Sequence, residues 1–209
     1  MKNKRSKPGI PKSSHTAARA SVAAGDSSGF LRWGLIAAAF VAAFLVYTPS
    51  LHGPFLFDDR YLPFLSPQLT RASLLSWLRG VRPFSMLSYW LNFQAAGSTA
   101  TFPYHATNVF LHALNSLLAG VIAHLLLKQC GTERKWSLGL AVTAGALFLL
   151  HPLQTEAVAY VAGRSEVLAV LPFYLAIALF LRYRESSVSW RLAAILLLLF
   201  ALSLSAKVY

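Results

Sequence analysis

The fold is decided by residues 104–127, which read "YHATNVFLHALNSLLAGVIAHLLL". About 20 apolar residues are needed to cross a hydrocarbon core about 30 Å thick, so this stretch predicts a transmembrane helix. Its first polar residues, His105, Asn108 and His112, follow the spacing that places side chains on one face of a helix. Polar side chains at membrane depth are costly, so we expect this face to point at protein rather than at lipid.

The composition of the whole chain agrees with this helix. Of 209 residues, 56% are hydrophobic and only 12% are charged, which predicts an all-α polytopic membrane protein with the lipid bilayer as its surroundings. The net charge of +12 comes without any nucleic-acid-binding motif, so we expect no nucleic acid partner. Further apolar runs predict about five transmembrane helices in all, at residues 31–51, 104–127, 138–150, 167–181 and 192–206.

Polar segments separate these runs. Residues 1–29 are basic and rich in small residues, which predicts a disordered tail ahead of a membrane domain at 30–209. An outer loop at 52–103 contains two stretches with helical patterns, 66–80 and 82–97, which we expect to lie in the membrane interface. Pro83 is well placed to begin the second of these. Residues 151–166 form a polar hairpin.

The distribution of basic residues predicts the orientation. With the N-terminus inside, the inner segments contain thirteen lysines and arginines, and the two outer segments contain five. Basic residues favour the cytoplasmic side, so the tail is predicted to be cytoplasmic, and 52–103 and 151–166 to lie outside.

This topology gathers the ionisable residues on the outer side. The adjacent carboxylates of Asp58 and Asp59 lie just beyond the first helix, where they either face a cavity or a partner or cap an interfacial helix. An alternative for Arg164 and Glu166 is a solvated pair in the loop. For His112 and His124 the alternative to ligand binding is hydrogen bonding to a neighbouring helix. His151, Glu156 and the two aspartates could hold a metal ion, but no ligand spacing supports such a site strongly. The candidate binding residues are Arg82, His105, Asn108, His151, Glu156, Arg164, Glu166 and Lys207.

Several stretches also resemble a known family. "FDD" at 57–59 is followed by "RPFSMLSYWLN", "YHATNVFLHALNSLL", "LLHPLQTEAVAYVAGRSEVLA" and "LSLSAK". In this order they resemble the N-terminal half of the TMTC family, the membrane proteins with tetratricopeptide repeats, and their bacterial relatives. That family belongs to the GT-C superfamily of glycosyltransferases.

The resemblance implies a partial GT-C fold and an active site on the lumenal or periplasmic side. It implies that one carboxylate of Asp58 and Asp59 is the general base for a hydroxyl acceptor, expected to be Ser or Thr of a polypeptide. The donor would be a polyprenyl-phosphate-linked sugar, expected to be mannose, with its phosphate held by Arg82, Arg164 and Lys207. A divalent metal is compatible with this chemistry but is not assigned to any residue.

Two other functions stay open at this point. The chain has five predicted crossings and no tetratricopeptide repeat, so it could be a truncated fragment that packs inactively with a partner membrane protein. It could also be a transporter module with a proton relay through His112 and Glu156. In each case we expect a multi-pass protein of the bacterial inner membrane or the endoplasmic reticulum, with a cytoplasmic N-terminus.

Overall fold

A computed structural model describes residues 30–31, 33–183 and 188–207. This part of the chain is helical and contains no strand, which confirms the all-α prediction. The predicted disordered tail at 1–29 lies outside the described residues. The chain divides into two units, Met1–Ala38 and Ala39–Tyr209. The helices are α1 Trp33–Val46, α2 Thr48–Leu51, α3 Pro67–Thr70, α4 Leu74–Leu78, α5 Pro83–Ala96, α6 Phe102–Gln129, α7 Arg134–Leu150, α8 Gln154–Ala159, α9 Arg164–Tyr183 and α10 Trp190–Ala206.

Two helices are long and apolar enough to cross a membrane. Helix α6 has 28 residues and α9 has 20, which correspond to about 42 and 30 Å at 1.5 Å per residue. Helices α1 and α10 are apolar but shorter, and α7 has 17 residues. Two spans therefore meet the criterion in the described part of the chain, and five crossings stay a prediction.

Helix α6 packs against both α7 and α9, and α9 packs in turn against α10. Glycines let the first of these pairs come close. A Cβ built on Gly120 would lie 3.0 Å from the carbonyl oxygen of Ala141, and one built on Gly145 would lie 3.0 Å from that of Ser116. Small residues at a helix contact permit this approach, and dispersion attraction and interhelical hydrogen bonds then hold helices together in a bilayer.

The polar face predicted for α6 bonds to its neighbours. His112 Nε2 donates to the carbonyl of Leu149 at 3.0 Å, which is one of the last carbonyls of α7 and has no partner within its own helix. His124 Nδ1 and the hydroxyl of Ser137 lie 2.7 Å apart, which joins α6 to α7 further along. Interhelical bonding by both histidines is therefore confirmed.

The loop at 52–103 has more breaks than its pattern predicts. The stretch at 66–80 divides into α3 and α4, and Trp77 Nε1 donates to the carbonyl of Leu69 at 2.7 Å, which ties the second short helix to the first. Pro83 does begin α5, where its missing N–H costs no helical bond. The hairpin at 151–166 holds the short helix α8, and α9 begins at Arg164 rather than at 167.

Candidate functional site

The two adjacent aspartates have different environments. They lie in a 3-10 helix at Phe57–Tyr61, where Asp59 is only 1% exposed and Asp58 is exposed. Oδ1 of Asp59 accepts a hydrogen bond of 2.7 Å from the backbone N–H of Ala162, in the distant hairpin. Neither side chain caps this helix. The capping alternative is therefore wrong, and the bond to Ala162 brings the aspartate loop against the hairpin.

The hairpin is held in place by the polar face of α6. His105 Nδ1 donates to the carbonyl of Ala159 at 2.9 Å, and Asn108 Nδ2 donates to that of Tyr160 at 2.7 Å. Because a carbonyl can only accept, His105 carries its hydrogen on Nδ1. These bonds satisfy carbonyls at the end of α8, so α6 fixes the side of the hairpin that faces the aspartates.

Arg164 lies beneath the site and is fully buried. Its Nε donates to Oδ1 of Asn108 at 2.9 Å, and its Nη2 donates to the carbonyl of Tyr104 at 2.8 Å. A longer bond of 3.4 Å reaches the carbonyl of Ser88, and the guanidinium carbon lies 4.6 Å from the centre of the Tyr89 ring. One side chain therefore joins α5, α6 and α9 under the floor of the site.

Above this floor is a cavity of about 640 Å³, within the range of ligand pockets. Asp58 and Glu156 contribute carboxylates to it, and Arg82, at the start of α5, contributes a cation. At its edge, Lys207 Nζ forms an ion pair of 2.8 Å with Oε1 of Glu166. The lining residues are Phe57, Asp58, Leu62, Arg82, Ser85, Met86, Tyr89, Leu153, Glu156, Ala157, Tyr160, Ala162, Gly163, Ser165, Glu166 and Lys207.

Tyr89 on α5 supplies a buried hydroxyl to the cavity wall. Burial raises the pKa of Tyr89 to about 12, because the phenolate would lose its hydration. The hydroxyl therefore stays protonated at physiological pH, and it donates to the carbonyl of Val161 at 2.9 Å. This bond attaches α5 to the hairpin at the residue before Ala162, to which Asp59 bonds.

Known proteins with related sequences connect this arrangement to a family. The chain is 33% identical over 175 residues to the mouse protein O-mannosyl-transferase TMTC1, a match that covers 76% of the chain. It is 33% identical over 162 residues to human TMTC1, which covers 69% of the chain, and 31% identical over 170 residues to Drosophila melanogaster Tmtc1, which covers 72%. This chain belongs to a TMTC-like family.

The TMTC-like chain corresponds to a small part of these relatives. The matches cover 17% of the mouse and human proteins and 18% of the fly protein, so the chain spans about a sixth of their length. No family model matches the chain, and no solved structure matches it. These relatives are named protein O-mannosyl-transferases.

The residues predicted for the site fall into three groups in the TMTC-like chain. Five of them line the cavity: Asp58, Arg82, Glu156, Glu166 and Lys207. Four lie buried around it and bond to the backbone or to each other: Asp59, His105, Asn108 and Arg164. The remaining residue, His151, is exposed outside the lining, and its Nδ1 accepts from the backbone N–H of Leu153 at 3.2 Å.

Some lining residues carry no signal that the sequence pattern alone could reveal. Ser85 and Tyr89 lie on one face of α5, and only the approach of this helix to the hairpin places them in the cavity wall. Tyr160 could have been found, because it is an aromatic residue inside the polar hairpin. Within residues 30–31, 33–183 and 188–207, no group of three His, Cys, Asp or Glu side chains could hold a metal ion.

Proposed function

We propose that this TMTC-like chain forms the donor site and the general base of a membrane O-mannosyltransferase. The donor would be a polyprenyl-phosphate-linked mannose, and the acceptor a Ser or Thr hydroxyl of a polypeptide. The observation that carries the proposal is one cavity in which an exposed carboxylate, Asp58, is accompanied by two cations, Arg82 and Lys207. A partial GT-C fold agrees with the helical architecture and with the family of the relatives.

The two cations would bind the phosphate of the donor. Phosphate groups are bound best by charge-assisted hydrogen bonds from Arg and Lys, and Arg can bind two oxygens at once. Arg82 is exposed at the cavity, and Lys207, which follows α10, also lines it. Both would hold the donor phosphate and stabilise the charge that develops on the leaving polyprenyl phosphate.

Asp58 is the proposed general base. Its carboxylate would take the proton of the acceptor hydroxyl as the hydroxyl oxygen attacks C1 of the sugar. The bond between C1 and the phosphate oxygen breaks, and its electron pair leaves with the polyprenyl phosphate. Asp59 is a positioning residue in this proposal, since its bond to Ala162 fixes the aspartate loop against the hairpin. Glu156 and Glu166 are placed to orient the acceptor or the cations.

The distribution of basic residues supports a location on one side of the membrane for all the residues that line the cavity. Segments 1–32, 128–136 and 182–191 contain thirteen lysines and arginines, against five in the two predicted outer segments, which favours the inside for these three segments. The cavity is lined by residues from the two predicted outer segments, 52–103 and 151–166, and by Lys207. We therefore propose a multi-pass protein with a cytoplasmic N-terminus and a cavity on the lumenal or periplasmic face, where a lipid-linked donor is accessible from the bilayer.

The test is Asp58→Asn, which keeps the shape of the side chain and removes the base. In reconstituted membranes, the kcat for mannosyl transfer from mannosyl farnesyl phosphate to a Ser/Thr peptide should fall by about 100-fold or more. The Kd for farnesyl phosphate should stay near that of the wild type. Glu133→Gln is the matched control, because Glu133 is an exposed carboxylate that does not line the cavity. Near-normal transfer by folded Asp58→Asn protein would refute the proposal.

A further inference from the structure

Phe57 has a backbone conformation that is unfavourable for its residue type. Its φ of 47° lies in the left-handed region, and no other non-glycine residue in the described segments has a positive φ. A side chain with a Cβ is strained there, and a bulky one is a rare outlier. The ring is also 71% exposed and belongs to neither hydrophobic core cluster. Strain of this kind without a gain in packing is typical of functional sites.

The ring of Phe57 meets one other aromatic ring at the cavity. The centre of the Tyr160 ring lies 5.9 Å away, with an angle of 76° between the two planes. Both residues line the cavity, one beside Asp58 and the other in the hairpin. The Tyr160 backbone is fixed on both sides, because its N–H donates to the carbonyl of Glu156 and its carbonyl accepts from Asn108. The pair therefore presents an aromatic surface next to the candidate base.

We infer that Phe57 and Tyr160 bind the sugar ring of the donor. A hexose has an apolar face of C–H groups whose partial positive charge suits the negative face of an aromatic ring. Phe57 and Asp58 line the same cavity, so a sugar on this surface would share the cavity with the carboxylate. The phosphate then extends toward Arg82 and Lys207. This inference rests on the proposed function and names the residues that recognise the sugar part of its substrate.

A competing explanation is that the exposed aromatic residues of this turn insert into the membrane interface, where aromatic rings are enriched. Tyr61 separates the two explanations. It lies in the same 3-10 helix and is 89% exposed, but it does not line the cavity. A role in the interface would make Tyr61 at least as sensitive to substitution as Phe57, whereas sugar binding requires only Phe57 and Tyr160.

The experiment measures Kd for two probes, farnesyl phosphate and mannosyl farnesyl phosphate, in Phe57→Ala, Tyr160→Ala and Tyr61→Ala. The wild type should bind the mannosylated probe more tightly. Phe57→Ala and Tyr160→Ala should lose about tenfold of this preference, as expected for one aromatic contact, while their Kd for farnesyl phosphate stays within about twofold of the wild type. Tyr61→Ala should keep the full preference. Phe57→Gly should lose it too, with a melting temperature at or above that of the wild type, because glycine accepts a positive φ.

Each other outcome overturns the inference. An unchanged preference in folded Phe57→Ala and Tyr160→Ala would show that the aromatic pair does not contact the sugar. An equal loss in Tyr61→Ala would favour the membrane interface. If the wild type bound neither probe, the proposed function would fail together with this inference. If it bound farnesyl phosphate and its preference did not depend on Phe57, only the inference would fail.

Discussion

Arg164→Lys should destabilise the protein strongly although it keeps the charge. Lysine cannot reproduce the planar fork with which Arg164 reaches Asn108 Oδ1 at 2.9 Å and the Tyr104 carbonyl at 2.8 Å. Hydrogen bonds to a charged group contribute about 1.5–3 kcal/mol each, so the loss of these two costs about 3 kcal/mol at the lower bound. The longer bond to Ser88 is left out of this sum because its geometry is poor.

The measurement is thermal unfolding of the purified protein in detergent. A change of 1 kcal/mol shifts the melting temperature of a chain of this size by about 2–4 °C, so Arg164→Lys should melt about 6–12 °C below the wild type. Arg182→Lys is the matched control, because Arg182 lies exposed at the other end of α9. Its melting temperature should not change measurably.

The same variant should also affect the site, because the guanidinium supports the Tyr89 ring in the cavity wall. We expect weaker binding of farnesyl phosphate at temperatures where the variant is still folded. A melting temperature within about 2 °C of the wild type would refute the argument that Arg164 joins three helices, since it corresponds to less than one hydrogen bond.

Three further predictions concern packing, pH and topology. Gly145→Ala should cost about 1–3 kcal/mol, because its Cβ would lie 3.0 Å from a carbonyl of the facing helix; Gly139→Ala, with open space around it, should not destabilise in the same thermal assay. Tyr89→Phe should lower the melting temperature by about 2–4 °C through loss of one hydrogen bond. Since burial raises the pKa of Tyr89 to about 12 from its ordinary value of 10, this difference should be constant from pH 6 to 9, as the neutral form contributes fully below the ordinary pKa and is lost only as the pH rises through 12. Thr155→Cys should react with a membrane-impermeant maleimide in intact cells while the native Cys130 reacts only after lysis; the reverse pattern would contradict the proposed orientation.

The parts of the fold that local patterns determine were predicted well. The spacing of His105, Asn108 and His112 predicted a polar face on α6, and these side chains bond to backbone carbonyls of the hairpin and α7. Pro83 marked the start of α5 because its ring geometry suits a first helical turn. Such features depend on a few neighbouring residues, so a sequence pattern is enough to find them.

The parts that depend on long-range contacts could not be predicted. The sequence shows two equal neighbours in Asp58 and Asp59, and only the contact of Asp59 with Ala162 makes one of them buried. Arg164 was expected among the phosphate-binding residues, but the meeting of α5, α6 and α9 surrounds it with backbone and amide acceptors. Its contribution to donor binding stays a prediction, and the structure supports a positioning role more directly.

The proton-relay alternative has less support from the structure. His112 is fully buried, bonds to the carbonyl of Leu149 and does not line the cavity in which Glu156 lies. A relay needs groups that exchange protons with each other or with water, and this pair shares no direct contact in the described part of the chain. The cavity, with its carboxylates and cations, fits the proposed donor site better than a proton relay.

The most direct test of the proposed donor site is the affinity of Arg82→Gln for farnesyl phosphate in nanodiscs. Loss of a charge-assisted contact to phosphate should raise Kd by about tenfold or more. Arg79→Gln is the matched control, because Arg79 is an exposed arginine of the same loop that does not line the cavity. We predict that Arg79→Gln binds within about twofold of the wild type. Equal affinities of Arg82→Gln, Arg79→Gln and the wild type would contradict the claim that this cavity binds the donor phosphate.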